Sequence, residues 1–478
     1  MKAFLERMFH IKERGSSITR EILGGLTTFL AMFYILPVNS GMLSGINIAD
    51  GLGSTEFGAI FLATAIASGV TTILMGLYAN FPVALSSGMG VNAFIAFTVC
   101  GTLGYNYAEA LGLTFVAGII FVIISVTPLR AWILNAIPKN LKLAVGAGIG
   151  FFIAFLGLKN SGIVVANAST YVTLGDFTKL PVLMAIIGIA LVLVLGHLKN
   201  KKIASFAVII SLFTMGIIDA SIGQITLATQ GQEALTAIDM PAFFTSGFEY
   251  SKLGTISNIF NQCFIHGMDA FTKPATYAVL FALLFVDFFD TAGTLVAVGE
   301  EAGIVDKEGN ITNAQRALTV DSVGTCIGAV TGTTTITSFV ESTTGISAGA
   351  RTGFSSVVTG LLFILAIGAY PILSMFGSTP SGLAPVTSLA LVYVGTLMFR
   401  QLKEIDWDDG VSTASGFITI VVMVLSYSIS DGIAWGFISY VIMSLAAGRA
   451  KKVSVLMYCL AAFFIVYYVL KMLVINKF

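Results

Sequence analysis

The chain has 478 residues, of which 56% are hydrophobic and only 10% charged, with 25 basic against 25 acidic residues. A soluble domain needs roughly 25% charged residues to wet its surface. This composition, with a mean hydropathy of +0.92, therefore describes an all-α polytopic membrane protein and excludes a soluble enzyme, a nucleic-acid binder and a disordered chain. The zero net charge offers no field for nucleic acid, so no nucleic-acid partner is expected. Cys100, Cys263, Cys326 and Cys459 are scattered without CxxC spacing, which suggests neither a disulfide framework nor a zinc site, and no cofactor.

Residues 1–20 mix Lys2, Arg7, Lys12, Arg14 and Arg20 with acids and hold no long apolar core. They read as a cytoplasmic tail rather than a signal peptide. Apolar runs near the ~20 residues needed to cross hydrocarbon follow at 22–44, 56–78, 83–100, 109–128, 140–158, 181–198, 203–222, 275–298, 317–331, 333–350, 354–376, 383–400, 414–430, 432–448 and 453–474. Inner loops near span ends collect Lys and Arg. With the N-terminus inside, the inner segments hold the five tail residues together with Arg130, Lys139, Lys142, Lys199, Lys201, Lys202, Lys307, Arg316, Arg351, Arg400, Lys403, Arg449, Lys451 and Lys452. Lys159, Lys179, Lys252 and Lys273 fall outside. This bias supports an even number of crossings before Arg449 and a multi-pass protein of the cytoplasmic membrane. It leaves 453–474 open, either as one more span or as a peripheral helix.

Segments one to seven and eight to fourteen share a rhythm, separated by a polar outer stretch from about 223 to 272. An odd repeat of seven must re-enter with opposite orientation, the inverted-repeat architecture of secondary transporters. Direct identity between the halves is weak. The parallel lies in the third element of each half, FPVALSSGMGVNAFIAF (81–97) and TGTTTITSFVESTTGISAGARTG (331–353). Both are too rich in Gly, Ser and Thr for a lipid-facing helix, and irregular backbone at membrane depth belongs where it lines a cavity.

Acids mark the same depth. Asp287 and Asp290 share a helical face at i, i+3, just before Thr291, Gly293 and Thr294. Glu341 lies in the second broken element and Asn92 at the comparable place in the first. A charge at the bilayer centre costs about 2.5 kcal/mol or more, so such groups face a cavity or a partner. Asp321 reads as a structural or gating residue near a helix entrance, beside Arg316. His197 and His266 read as solvated.

The segments FVDFFDTAGTL, GTTTITSFVEST with GISAGARTG, FPVALSSGMGVNAF and EILGGLTTFLAMFYIL together resemble the guanine/hypoxanthine and adenine branch of the nucleobase:cation symporter family. The match runs from Glu21 to about Arg449. The resemblance implies a 7+7 inverted-repeat transporter fold with core and gate domains and two broken elements carrying short half-strands. On this reading 21–128 and 273–376 form the core, 129–222 and 377–448 the gate, 223–272 an outer loop, and 449–478 a C-terminal apolar segment. The family's eighth-helix acids fall on Asp287 and Asp290, its tenth-element Glu on Glu341 and its third-element Asn on Asn92. A homodimer through the gate is a further expectation. Where many members read YILxVNP, this chain reads YILPVNS, which moves the proline to Pro37 and shifts the expected kink in the cavity wall. The outer stretch is long for the family, and its ISNIFNQCFIHGM reads as an interfacial helix.

The chemistry agrees with the resemblance. A purine base is flat, neutral and rimmed by N–H donors and acceptors. Glu341 can accept two N–H bonds from one base edge. Backbone groups around Ser87, Gly88, Thr337 and Ser338 would meet other edge atoms, and Phe94 and Phe339 offer ring faces. Substrate-binding residues are thus expected at Glu341, Asp287, Asn92, Phe339 and Phe94. Burial and mutual repulsion make Asp290 or Asp287 the proton carrier, with sodium the second choice of coupling ion. Three rival readings lie outside the nucleobase carriers and one within them. An anion transporter of the same fold would want a basic or neutral site, a channel a continuous polar path, and a membrane enzyme a nucleophile with its base or metal; a uracil or xanthine permease tends to carry an EHxGH-like pattern where this chain has DFFDTAG.

Overall fold

The computed structural model describes residues 2–127, 137–200, 203–204, 206–239, 250–273, 275–304, 313–373, 376, 379 and 383–475. Hydrocarbon offers backbone amides no partner, so the apolar runs fold as helices that satisfy their own N–H and C=O groups. The first half comprises α1 (Lys2–Phe9), α2 (Ile18–Met32), α3 (Ile35–Leu43), α4 (Phe57–Leu74), α5 (Met89–Ala93), α6 (Tyr107–Val126), α7 (Lys139–Asn160), α8 (Leu180–Gly196) and α9 (Ala207–Ala237). The second comprises α10 (Thr276–Ala302), α11 (Ala314–Thr331), α12 (Ser342–Ser347), α13 (Gly353–Leu365), α14 (Pro385–Phe399), α15 (Gly410–Leu425), α16 (Ile429–Ala446) and α17 (Val455–Ile475). Strands are short: a β1–β2 hairpin (Asn47–Ala49, Gly53–Ser54), β3 (Leu85–Ser87), a β4–β5 hairpin (Val164–Asn167, Tyr171–Leu174) and β6 (Ile336–Ser338).

The helices sort into two packed groups. In one, α2 and α4 pack on α13, and α6 and α4 pack on α11. In the other, α7 packs on α14 and α15, α14 on α8, α8 on α9, and α15 on α16. The α7–α14 contact is backbone to backbone: a Cβ on Gly395 would lie 2.5 Å from the Gly150 carbonyl oxygen, so only glycine permits that approach.

Several local features explain departures from the sequence reading. Pro37 has no N–H and its ring crowds the carbonyl four residues back, which breaks the first span between α2 and α3 and leaves Phe33 and Tyr34 at the joint. The seventh span outlasts its expected end at 222, because no proline interrupts it, Gly216 and Gly223 keep helical backbone, and the first non-helical residue is Gly231, whose φ of 84° kinks α9. The expected interfacial helix is instead a series of short pieces, Tyr250–Asn258, Gln262–Ile265 and Gly267–Thr272, seated on α6 through Gly267 against Gly112 and Phe264 on Phe115.

The N-terminal stretch is stapled to the bundle. Arg14 donates to the carbonyls of Asn80 (2.8 Å) and Arg351 (3.3 Å), and the Ser16 hydroxyl donates to that of Gly349. Buried Glu21 accepts the N–H groups of Arg351 and Thr352 at the start of α13. At the other end, the Tyr468 hydroxyl donates to Asp431 in the first turn of α16 at 2.6 Å. Thirteen residues separate Tyr468 from the start of α17, a rise of about 20 Å. This last helix therefore returns antiparallel to α16 across the same depth, rather than lying flat at one end.

Candidate functional site

Each broken element reaches the middle of the bundle as extended chain, and the two meet there. β3 and β6 pair antiparallel with Leu85 opposite Ser338, Ser86 opposite Thr337 and Ser87 opposite Ile336. All six residues are buried. Beyond the ladder, the Gly88 N–H donates to the Thr335 carbonyl (3.2 Å) and the Phe339 N–H to that of Ala84 (3.1 Å). Hydroxyls serve the remaining backbone. Thr72 on α4 both accepts from the Leu85 N–H (2.9 Å) and donates to the Leu85 carbonyl (3.0 Å), and the Ala84 N–H donates to Ser342 (3.0 Å).

On one side of the ladder lies an amide and hydroxyl cluster. Asn92 is fully buried and donates to the Asn39 side-chain Oδ1 and to the Ser87 hydroxyl (2.9 Å), while its own side-chain oxygen accepts from Thr334. Asn39, in α3, donates onward to Thr64 (2.8 Å) and Thr333 (3.0 Å). Asn92 thereby ties both broken elements to the kinked first span, with both amide protons directed at protein.

The other side is a ladder of acids and alcohols between α10 and α11. Asp287 accepts from Thr325 (2.8 Å), and one turn along the order reverses, with Thr291 donating to Asp321 (2.6 Å). Asp321 also accepts from the Ser338 hydroxyl of β6 (2.7 Å), and Thr291 meets Thr337 at 2.8 Å. Asp321 is thus not near an entrance. It is 0% exposed, 2.7 Å from the strand ladder, because α11 starts at Ala314 and carries it two turns inward. The Asp290 side chain lies outside the described residues.

Glu341 follows β6 and is half-buried, with Tyr34 at the joint of the first span donating to its carboxylate at 2.7 Å. Tyr393 of α14 comes within electrostatic reach of Glu341 from the second helix group. Phe339 is 9% exposed, whereas Phe94 is fully buried. The structure thus gathers Ser87, Gly88, Asn92, Asp287, Thr337, Ser338, Phe339 and Glu341 around one crossing. Sequence reading missed Tyr34, Asn39 and the contributions of Thr325, Thr333 and Thr334. Pro37 was the one signal for Tyr34, since a break there exposes the residues just before it.

The two helix groups also touch away from the crossing. The Thr98 hydroxyl donates to the Tyr427 carbonyl (3.0 Å), the Phe97 and Tyr427 rings pack edge-on at 5.8 Å, and the Lys159 ammonium sits 4.7 Å over the Tyr427 ring. These contacts join the two helix groups near Lys159.

Residues 19–435 match the family model described as Permease family. Guanine/hypoxanthine permease PbuG of Bacillus subtilis is 42% identical over 97% of this chain and 99% of its own length. Adenine permease AdeQ of Escherichia coli is 34% identical over 96% of this chain and 95% of its own. Among solved structures, the transmembrane domain of the cyanobacterial bicarbonate transporter BicA aligns with a TM-score of 0.54 at 17% identity, covering 87% of this chain and 96% of that one, and SLC26A9 aligns with a TM-score of 0.56 at 10% identity, covering 93% and 69%. At those identities the likeness concerns fold alone: fourteen elements in two inverted sevens, with the paired half-strands at their centre. A family match over residues 19–435, relatives above 30% identity and the shared 7+7 architecture together place this chain in the permease family.

Proposed function

We propose that the chain is a secondary-active purine nucleobase permease, with hypoxanthine or guanine favoured and adenine possible, that couples uptake to protons by alternating access. The observation that carries this reading is the placement of Glu341: a carboxylate immediately after β6, half-buried, held in orientation by Tyr34 and facing the seam between the two helix groups. An acceptor so placed takes two N–H groups of one base edge. Phe339 supplies a ring face, Phe94 backs it, and the polypeptide around Ser87, Gly88, Thr337 and Ser338 shapes the edge opposite. Asn92 holds the crossing in register.

The proton belongs to the Asp287 and Asp290 pair. Asp287 stands one helical turn from Thr291, which is bonded to Asp321 and to Thr337 of β6, so a change of charge there is felt by β6. In the cycle we envisage, protonation neutralises the pair, the base binds at Glu341, and the helix group carrying the half-strands moves against the other until both ligands leave on the cytoplasmic side. We read the contact of Thr98 with Tyr427, near the Lys159 assigned to the outside, as part of an exterior gate. The names of the PbuG and AdeQ relatives support the purine class.

The test is uptake of radiolabelled hypoxanthine, guanine, adenine and uracil into cells lacking their own permeases, with and without a protonophore. Saturable purine uptake that collapses with the proton gradient is expected, and mutual competition assigns the base. No uptake of any of them by a chain shown to reach the membrane refutes the substrate assignment and brings a sulfate- or dicarboxylate-type anion transporter of the same fold forward.

A further inference from the structure

Outside the crossing, one acid has no place in the scheme above. Asp219 lies on α9 at the midpoint of the apolar span Ala207–Gly231 and is 1% exposed. Among the described residues its Oδ1 meets no hydrogen-bond partner, and neither does the buried Ser211 hydroxyl two turns earlier on the same helix.

Among the described residues the surroundings offer nothing to balance a charge. Leu212, Met215 and Ala220 flank Asp219 on the buried face of α9. Met215 packs beside Gly188 of α8, as does Leu389 of α14. The helices packed against α9 are α8, α14 and α2. α8 contains no titratable side chain. α14 contributes Tyr393, whose hydroxyl faces Gly196 at the far end of α8, about 18 Å away by helix rise. α2 contributes exposed Arg20 and Glu21, the latter bound to Arg351 and Thr352. Through Phe213, α9 also meets Phe376; the nearby Tyr370 ring packs on Phe61. An ionised carboxylate at this depth needs a cation or several donors, and a neutral acid does not.

The same helix reaches the candidate site. Phe213, six residues before Asp219, stacks on Phe33 at 5.9 Å and 11°, and Phe33 precedes the Tyr34 that binds Glu341. A shift of α9 is therefore delivered to the joint of the first span.

We propose that Asp219 is a proton-binding site separate from the acids of the strand crossing, and that its protonated form holds α9 seated against α8 and α14. Loss of the proton to water requires the socket to open, which withdraws Phe213 from Phe33. This inference does not depend on which solute is carried.

The test uses the full chain in lipid vesicles. The infrared difference between wild type and Asp219→Asn should contain a protonated-carboxyl C=O band at neutral pH that exchanges slowly into deuterium oxide. An ionised-carboxylate difference in its place overturns the proposal. Asp219→Leu should also fold, because the socket accepts a neutral group of that size; failure of both neutral variants to accumulate overturns the proposal as well, since the socket would then demand a charge. Peptide-resolved maleimide labelling of Ser211→Cys supplies the conformational arm. Labelling should rise several-fold more steeply from acidic to alkaline pH with Asp219 present than with Asp219→Asn. Equal pH profiles in the two backgrounds refute the seating role. Neither readout uses transport, so a failed purine assignment leaves both interpretable.

Discussion

Replacing Asn92 by alanine tests whether the amide at the strand crossing is a framework piece. The substitution deletes three hydrogen bonds, to Asn39, Ser87 and Thr334, at a site with no solvent access. Side-chain hydrogen bonds inside membrane proteins average about 0.6 kcal/mol and reach about 1.7, which gives about 2 to 5 kcal/mol for the three. The Asn39 oxygen and the Thr334 hydroxyl would also be left buried without this partner, which places the expectation in the middle of that span, about 3 kcal/mol. Using ~2 cal/mol/K per residue for cooperative unfolding, a chain of this length shifts by about 1 °C per kcal/mol, so Tm should fall by about 3 °C. The assay is thermal unfolding of purified protein in detergent, with Glu341→Gln as the control. Among the described residues, Tyr34 is the one other side chain that bonds the Glu341 carboxylate, so its variant should keep Tm within about 1 °C while losing base binding, because a double acceptor becomes half donor. Wild-type Tm for Asn92→Ala, with base binding abolished, would refute the framework argument and make the amide a direct ligand.

Three further outcomes follow from the geometry. Tyr34→Phe removes the hydroxyl that orients Glu341; a hydrogen bond to a charged group contributes about 1.5–3 kcal/mol, so base affinity measured on purified protein should fall about ten- to a hundredfold, and unchanged affinity would mean the carboxylate positions itself. Asp321→Ala takes one acceptor from both Thr291 and Ser338 and should lower Tm more than Asn92→Ala; adding Ser338→Ala should cost little further, and full additivity in the double-mutant cycle would deny the coupling. At the head of α15, Asp409 accepts from the Ser412 N–H and hydroxyl and from Arg449, and the Ser412 hydroxyl first, then Arg449, hold its carboxyl down at about 2. A carboxyl lowered by folding stabilises the native state above its unfolded value and loses that contribution as pH falls toward the folded value. The Asp409→Ala penalty, about 1 kcal/mol after solvent screening, should be full at neutral pH and shrink between about pH 4 and pH 2; a penalty independent of pH would assign it to the helix cap alone.

The acids and the broken elements were legible because each violates a strong rule: Asp287 and Glu341 are charges within apolar runs, and 81–97 and 331–353 put Gly, Ser and Thr where lipid wants Leu. Tyr34 breaks no rule. Nothing local separates it from its thirteen fellow tyrosines, and its importance arises only when Pro37 splits the span and the second half brings Glu341 alongside. Asp321 was misplaced in depth, since Arg316 nearby suggests an entrance while helix rise from Ala314 carries the side chain inward. The threonines of the α10–α11 ladder were illegible for a related reason. A hydroxyl in a membrane helix can bond its own i−4 carbonyl, as Thr64 does with Ile60, so only the partner helix reveals which ones reach outward.

The two half-strands are themselves a clue to what moves. Three residue pairs make a two-stranded ribbon that would be marginal alone, and in lipid no hydrophobic drive presses it together. Its persistence rests on hydroxyls from both halves: Thr72 and Ser68 of α4 bind Leu85 and Ser86, Asp321 of α11 binds Ser338, and Ser342 of α12 reaches across to Ala84. Each broken element is therefore held by its own half and also by the other, the crossing bonds being Asn92 with Thr334, Ser87 with the Thr333 carbonyl and the Ala84 N–H with Ser342. Moving either strand alone would leave several buried donors unpaired, whereas the seam facing α9 and α16 is crossed by aromatic packing, Phe33 on Phe213 and Phe285 on Phe437. Sliding along that seam costs far less than parting the ribbon, so the crossing and the helices bonded to it should travel as one rigid unit, carrying Glu341 and Asp287 together past the second helix group.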